Sequence, residues 1–230
     1  MTKDDVTVVY YTANVLSDPF AANTKKKFRE AIGDLPLISV SKKPMVDFGQ
    51  NICVGDTPRS HIWTYRQALM GVKAAKTKYI ALAEDDIFYS VEHFTRYTPP
   101  PDVFYYNLSV WSLYTWSAPI FSWHGRRCLH SLICEKDLFV DTLDELFAKY
   151  PNDDEFPIHK LGEPGRYEHR LGTTPRKSEV FMTDVPNIAV THPEAIGFAS
   201  QGTRKRHAGL RVTALPHWGS AEEVLKLCQT

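Results

Sequence analysis

Glu84, Asp85 and Asp86 follow directly on an apolar run at 79–83, and their type and spacing could do chemistry. Three adjacent carboxylates leaving a core strand repel one another and lose solvation, so a compensating charge is called for. A hard divalent cation carrying a phosphate would supply it. A strand that surfaces into a solvated acidic turn is the competing reading, and the triplet alone does not separate the two. The run itself is too short for a helix and reads as a buried strand of a parallel sheet. That would place the acids at its carboxyl end, where open α/β sheets bind ligands.

Other side chains could serve such a site. Arg59 and Arg66 stand near the start of a predicted helix, where a phosphate or a base edge could be met, and ordinary surface ion pairs would use them equally. Glu163 and Glu168 lie in the turn-rich stretch NDDEFPIHKLGEPGRYEHRLG. Both could be plain loop acids, one of them capping the helix that follows. His192 ends a predicted strand, Asn187–Thr191, and a lone histidine there reads as an ordinary polar side chain. His217 precedes a Ser220 to Glu223 capping-box pattern and reads as structural. From residue 195 to 221 there is no acid, while Arg204, Lys205, Arg206 and Arg211 crowd a glycine-bounded segment. That segment is a solvated basic loop, a grip on an anionic acceptor such as DNA, or a lid over a pyrophosphate.

Periodicity supplies the elements that must position these groups. Residues 6–11 form a first apolar strand, with Thr12, Ala13 and Asn14 as a small polar loop at its end. Phe20, Thr24, Phe28 and Ala31 recur at helical spacing, Gly33 and Pro36 stop that helix, and 37–40 supply a second strand. After an irregular stretch at 42–60, Ile62, Tyr65, Leu69 and Val72 mark a helix that runs into 79–83. YTPPPD at 97–102 is a stiff connector, and 103–110 reads as one strand that Trp111 continues. Trp116 and Trp123 could stack on a sugar or base, although core filling would use them too. Phe139, Leu143, Leu146, Phe147 and Tyr150 mark a helix over 138–150.

The chain has 230 residues, 43% of them hydrophobic, enough to bury a core in one domain. Lys plus Arg and Asp plus Glu are equal at 27 each, so no global field draws it to nucleic acid or membrane. The 4 cysteines are scattered without zinc spacing and read as reduced thiols. The first apolar run is too short for a signal sequence or a span, so a cytoplasmic protein without a membrane partner is expected.

The strand–helix order up to residue 90, the stretch YRQALMGVKAAKTKYIALAEDD and the terminal EDD resemble the nucleotide-sugar half of a GT-A glycosyltransferase. The pattern is similar to the short soluble family-2-like transferases of bacteria and bacteriophages, with EDD as a variant of their DxD motif. The resemblance implies a single α/β domain with a Rossmann-like mixed sheet flanked by helices. Residues 1–90 would be its nucleotide-sugar-binding half and 91–230 its acceptor half. It implies a metal-dependent glycosyltransferase that uses Mn2+ or Mg2+ and a nucleotide sugar, expected to be a UDP-sugar, with a hydroxyl acceptor. A hydroxymethylated DNA base is one candidate acceptor and a glycan another.

The same resemblance distributes roles. Asp86 would be the direct metal ligand and His192 a further one, while Asp85 would reach the ribose or a metal-bound water and Glu84 the nucleoside side. Tyr11, Thr12 and Ala13 would contact the nucleoside, Arg59 or Arg66 the pyrophosphate, and Arg204 and Lys205 the phosphates from a closing loop. In an inverting enzyme Glu163, or secondarily Glu168, would take the acceptor proton. A nucleotidyltransferase would want a glycine-rich, lysine-bearing loop near the first strand, which TANVLSDP lacks. A non-catalytic nucleotide-sugar-binding module is the third reading.

Overall fold

The computed structural model of the chain describes residues 1–196 and 209–229. β1 (Val6–Thr12) leads through α1 (Asp18–Ile32) to β2 (Leu37–Ser41) and the short β3 (Gln50–Cys53). α2 (His61–Ala74) returns the chain to β4 (Tyr79–Glu84). β1 and β2 are buried at every residue because helices cover both faces of the sheet, and the few polar residues among their apolar ones are small Thr and Ser. β5 (Ile87–Phe88), α3 (Val91–Thr95), β6 (Val103–Asn107), β7 (Val110–Tyr114) and β8 (Phe121–Trp123) follow. Next come β9 (Leu132–Glu135), α4 (Lys136–Lys149), α5 (Glu168–Leu171), β10 (Lys177–Phe181) and β11 (Asn187–Thr191). β12 (Leu210–Val212), a hairpin and a closing helix, Ala221–Lys226, complete the chain.

Seven strands form the main sheet in the order β10-β6-β9-β4-β1-β2-β3. β1 pairs in parallel with both β2 and β4, so the chain moves outward through β2 to β3 and then restarts on the other side of β1. β9 is antiparallel to both of its neighbours, β4 and β6. α2 and α4 pack on one face, with Tyr65, Leu69, Val72, Phe139 and Leu143 against Val9, Val40, Ile80 and Phe104. The opposite face holds Phe28, Ala31 and Phe94 against Val8, Tyr10 and Ala81. A second sheet, β12-β8-β7-β11-β5, has its own core around Phe88, Leu113, Phe121, Ile188 and Val224.

The helical spacing read from the sequence corresponds to buried faces: Phe20, Thr24, Phe28 and Ala31 on α1, and Ile62, Tyr65, Leu69 and Val72 on α2. The capping box at Ser220 and Glu223 is formed. Two stretches differ from expectation. Residues 103–110 are not one strand but the whole of β6 in the main sheet and the first residue of β7 in the second. Asn107 Oδ1 accepts the Ser109 N–H at 2.8 Å and the Leu108 carbonyl accepts the Val110 N–H at 2.8 Å, a local kink that carries the chain between sheets. The irregular 42–60 also contains an edge strand, β3. All four cysteines are free, and among the described residues no helix is long and apolar enough to cross a membrane. Arg204, Lys205 and Arg206 lie outside the described residues.

Gly71 marks the closest approach of α2 to the sheet. A Cβ there would stand 2.4 Å from Val9 Cγ1 and 3.0 Å from Val40 Cγ2. Gly71→Ala gains roughly 1 kcal/mol of helix propensity but meets β-branched side chains on central strands, where overpacking costs roughly 1–3 kcal/mol. A net fall in melting temperature of up to about 8 °C is expected, and calorimetry would check it.

Candidate functional site

The outward run from β1 and the restart at β4 create a point where strand order reverses, and the chain ends there are the carboxyl ends of both strands. Such a reversal opens a crevice, because the connections leave toward opposite sides. A cleft of about 380 Å³ occupies it, lined by Tyr11, Thr12 and Ala13 from the end of β1 and by the whole acidic triplet. In the β1–β4 register Tyr11 lies opposite Glu84. Its hydroxyl donates to Glu84 Oε1 at 2.8 Å, and the Thr12 hydroxyl donates to Asp85 Oδ2. Gln67 of α2 fixes this loop from behind, its Nε2 donating to the Thr12 carbonyl at 3.2 Å.

Burial raises the carboxyl pKa of Glu84 above its ordinary value, against the hydrogen bond from Tyr11. Burial likewise pushes Asp85 up to about 6, with the Thr12 hydrogen bond opposing and the Glu84 charge adding. Asp86 has a different setting. β5 runs antiparallel to β11, with the Val190 N–H donating to the Asp86 carbonyl at 2.9 Å. That pairing delivers His192, just past β11, to the triplet, with Nε2 3.7 Å from Asp86 Oδ2. His192 is buried, and its ring meets Phe20 edge-on at 5.9 Å.

Glu163 reaches the same cleft from a loop, and that loop is tied on both sides of it. Tyr65 Oη of α2 donates to the Gly162 carbonyl at 3.0 Å, and Tyr106 Oη of β6 donates to the Pro164 carbonyl at 2.7 Å. Glu168 Oε1 accepts the Gly165 N–H, and Ser178 Oγ donates to the Gly165 carbonyl at 3.0 Å. The Tyr167 ring lies so close on Gly162 that a Cβ there would be 1.9 Å from Cδ2. Burial raises the carboxyl pKa of Glu163, with Arg166 and Arg126 acting in the opposite direction and Glu84 adding to the rise. Glu168, the other candidate base, is buried at the start of α5 and holds the Glu163 loop instead of lining the cleft.

The two candidate arginines part company. Arg59 lines the cleft beside Ser60, the cap of α2, and lies 3.5 Å from Glu194 across its mouth. Arg66 faces away: its Nη2 pairs with Asp153 at 2.6 Å and its guanidinium stacks over Phe147 at 4.2 Å. Lys42, His130 and Cys128, which the sequence did not single out, also line the cleft. Burial lowers His130 to about 4, so its ring is neutral at neutral pH, and raises the Cys128 thiol to about 12. A thiol so poorly ionised is no nucleophile.

Among the described residues no three His, Cys, Asp or Glu side chains group as a self-sufficient metal site. Asp86 and His192 nevertheless present a carboxylate and an imidazole to one side of the cleft. Mg2+ and similar cations commonly take one or two protein ligands and complete their shell with substrate phosphates and water. The donor set fits a cation that arrives with a diphosphate.

No family profile matches the chain, and no curated protein matches it in sequence. Solved structures that resemble it include glycosyltransferases. One, involved in glycosylation of the major capsid of PBCV-1, is 12% identical over 98% of this chain and 100% of its own, with a TM-score of 0.42. The mannosyltransferase PcManGT from Pyrobaculum calidifontis, solved with GDP-Man and Mn2+, is 14% identical over 87% of this chain and 60% of its own, at 0.44. The apo-form glycosyltransferase GlyE of Streptococcus pneumoniae is 7% identical over 76% of this chain, at 0.45. This chain spans 45% of that protein's length. Such low identities and partial superpositions assign no activity here.

Proposed function

We propose that the cleft binds a nucleotide sugar and transfers its sugar to an acceptor hydroxyl. The observation that carries this reading is the convergence of three groups on one crevice at the strand-order reversal: the acidic triplet, His192 beside Asp86, and the tethered, desolvated Glu163. Tyr11, Thr12 and Ala13 form the nucleoside wall within residues 1–90, and Arg59 with the positive end of α2 faces the diphosphate. Asp86 and His192 hold a divalent cation, which when bound supplies Lewis-acid stabilisation to the departing diphosphate. Mn2+ and Mg2+ both suit such donors.

Glu163 then acts on the acceptor side. The acceptor oxygen bonds to the anomeric carbon, the bond from that carbon to the diphosphate oxygen breaks, and Glu163 takes the hydroxyl proton. Glu163 is kept in reach by the tyrosine clamps, so little order is lost when substrates arrive. A UDP-sugar is the donor proposed and a hydroxymethylated DNA base the acceptor proposed, with residues 91–230 as the acceptor half.

A thermal-shift screen of nucleotide sugars with and without Mn2+ tests the donor side. Binding to the folded state alone stabilises by about 2.7 kcal/mol at a hundredfold excess over the dissociation constant. One sugar nucleotide is expected to stand out, and only with the cation present. An equal response to every nucleotide would sink the reading.

A further inference from the structure

The rim of the cleft next to Glu163 carries a group of side chains that the transfer chemistry leaves unused. Arg126 Nη2 lies 3.2 Å from His124 Nδ1 and must donate there, since a guanidinium has no acceptor. The other ring nitrogen, Nε2, therefore carries the proton of a neutral His124 and faces Tyr114 Oη at 3.0 Å. The Tyr114 and Trp116 rings stand 5.3 Å apart, and Trp116 is 39% exposed, high for so large an apolar surface. This loop runs directly into Cys128, Leu129 and His130 of the cleft wall.

Arg166, three residues after Glu163, is exposed like Arg126, with its guanidinium 5.3 Å from the centre of the Tyr167 ring. The charges of both guanidinium groups oppose the rise that burial imposes on the Glu163 carboxyl. Among the described residues neither is ion-paired with a carboxylate, whereas Arg59, Arg66 and Arg96 are. Behind Arg126, the Nε of Arg127 is buried without a hydrogen-bond partner among the described residues. Positive charge is thus gathered beside the transfer point without an internal counter-charge, next to exposed aromatic surface.

We propose that the acceptor is a single-stranded nucleic-acid segment, its phosphodiester held by Arg126 and Arg166 and a neighbouring base stacked on Trp116, with the reactive hydroxyl against Glu163. The proposal rests on the transferase reading and names its acceptor class. Guanidinium groups that track phosphates, combined with aromatic faces on which bases stack, are what strand binding without sequence readout requires. A neutral glycan would use the aromatic face and leave both charges idle. A polyol-phosphate polymer would use the charges and leave Trp116 without a ring to cover.

Titration of intrinsic tryptophan fluorescence tests this without any donor, using oligo(dT), poly(glycerol phosphate) and maltotriose as probes. Oligo(dT) is expected to bind tightest, with an affinity that falls as salt rises. The double variant Arg126→Gln/Arg166→Gln should bind it at least tenfold more weakly and with a shallower salt slope, and Trp116→Ala, read by competition with a labelled oligonucleotide, at least fivefold more weakly. Circular dichroism and the melting temperature report whether each variant is folded, and Arg126→Lys should restore part of the affinity. Maltotriose or poly(glycerol phosphate) binding as well as oligo(dT), or folded variants binding like the wild type, would overturn the proposal. Failure of the transferase reading is seen separately, as loss of the donor-specific thermal shift.

Discussion

Asp86→Ala is expected to lower sugar transfer about a thousandfold while leaving a folded protein. The size follows from the role proposed for the residue: it is the carboxylate placed 3.7 Å from His192, and a cation held by that pair would compensate the charge of the leaving diphosphate. The fold does not need it. Removing one of three adjacent acids relieves repulsion at a strand end where Glu84 and Asp85 keep their hydrogen bonds from Tyr11 and Thr12. Donor-induced stabilisation should lose its dependence on Mn2+ in the variant, separating a lost cation from a disturbed fold. Transfer at the wild-type rate would remove Asp86 from the mechanism.

Glu163→Gln is expected to cost roughly 10²–10⁴-fold in transfer, the usual contribution of a positioned base, with the donor thermal shift retained. Glutamine keeps the shape and cannot take the proton. The pH profile gives a second readout. Glu163 must be ionised to act, and burial raises its pKa, so the wild-type rate should climb with pH through a point above the ordinary carboxylate range. The residual rate of the variant should lack that limb. Stability runs the opposite way: a carboxyl whose folded pKa is raised contributes stability below its unfolded value and loses it as pH rises through the folded one. The variant should therefore melt no lower than the wild type at neutral pH. A wild-type acid limb that persists in Glu163→Gln would assign the base elsewhere.

What the sequence made legible follows from how each element is covered. β1, β2 and β4 are sealed on both faces, so their composition alone marks them as central strands, and the abrupt acids after β4 mark its carboxyl end. β3 and β10 are edge strands with mostly solvent-facing residues, which leaves little apolar signal. β9 is buried but runs without a break into α4, so its short apolar run merges with the helix pattern. The joint between β6 and β7 was hidden because both halves are apolar, and only Asn107, bonding back to Ser109, betrays the turn. Within the site, Tyr65 and Tyr106 read as core and are core, except for their hydroxyls. A phenylalanine would fill the same space, so the clue to the Glu163 loop was the choice of tyrosine at two buried positions.

β9, the antiparallel strand of the main sheet, also bears on the order in which the molecule can assemble. β1 to β4 are all available once residue 86 has been made, and their pairing already lines up Tyr11, Thr12 and the acids. β6 cannot take its place until β9, made later, has slotted in beside β4, because β9 lies between them. His192 and Glu163 both come from the late part of the chain, so the nascent protein passes through a stage that has the acidic wall without its counterpart. Such a stage exposes the β4 edge, which makes it the point in synthesis most open to misassociation.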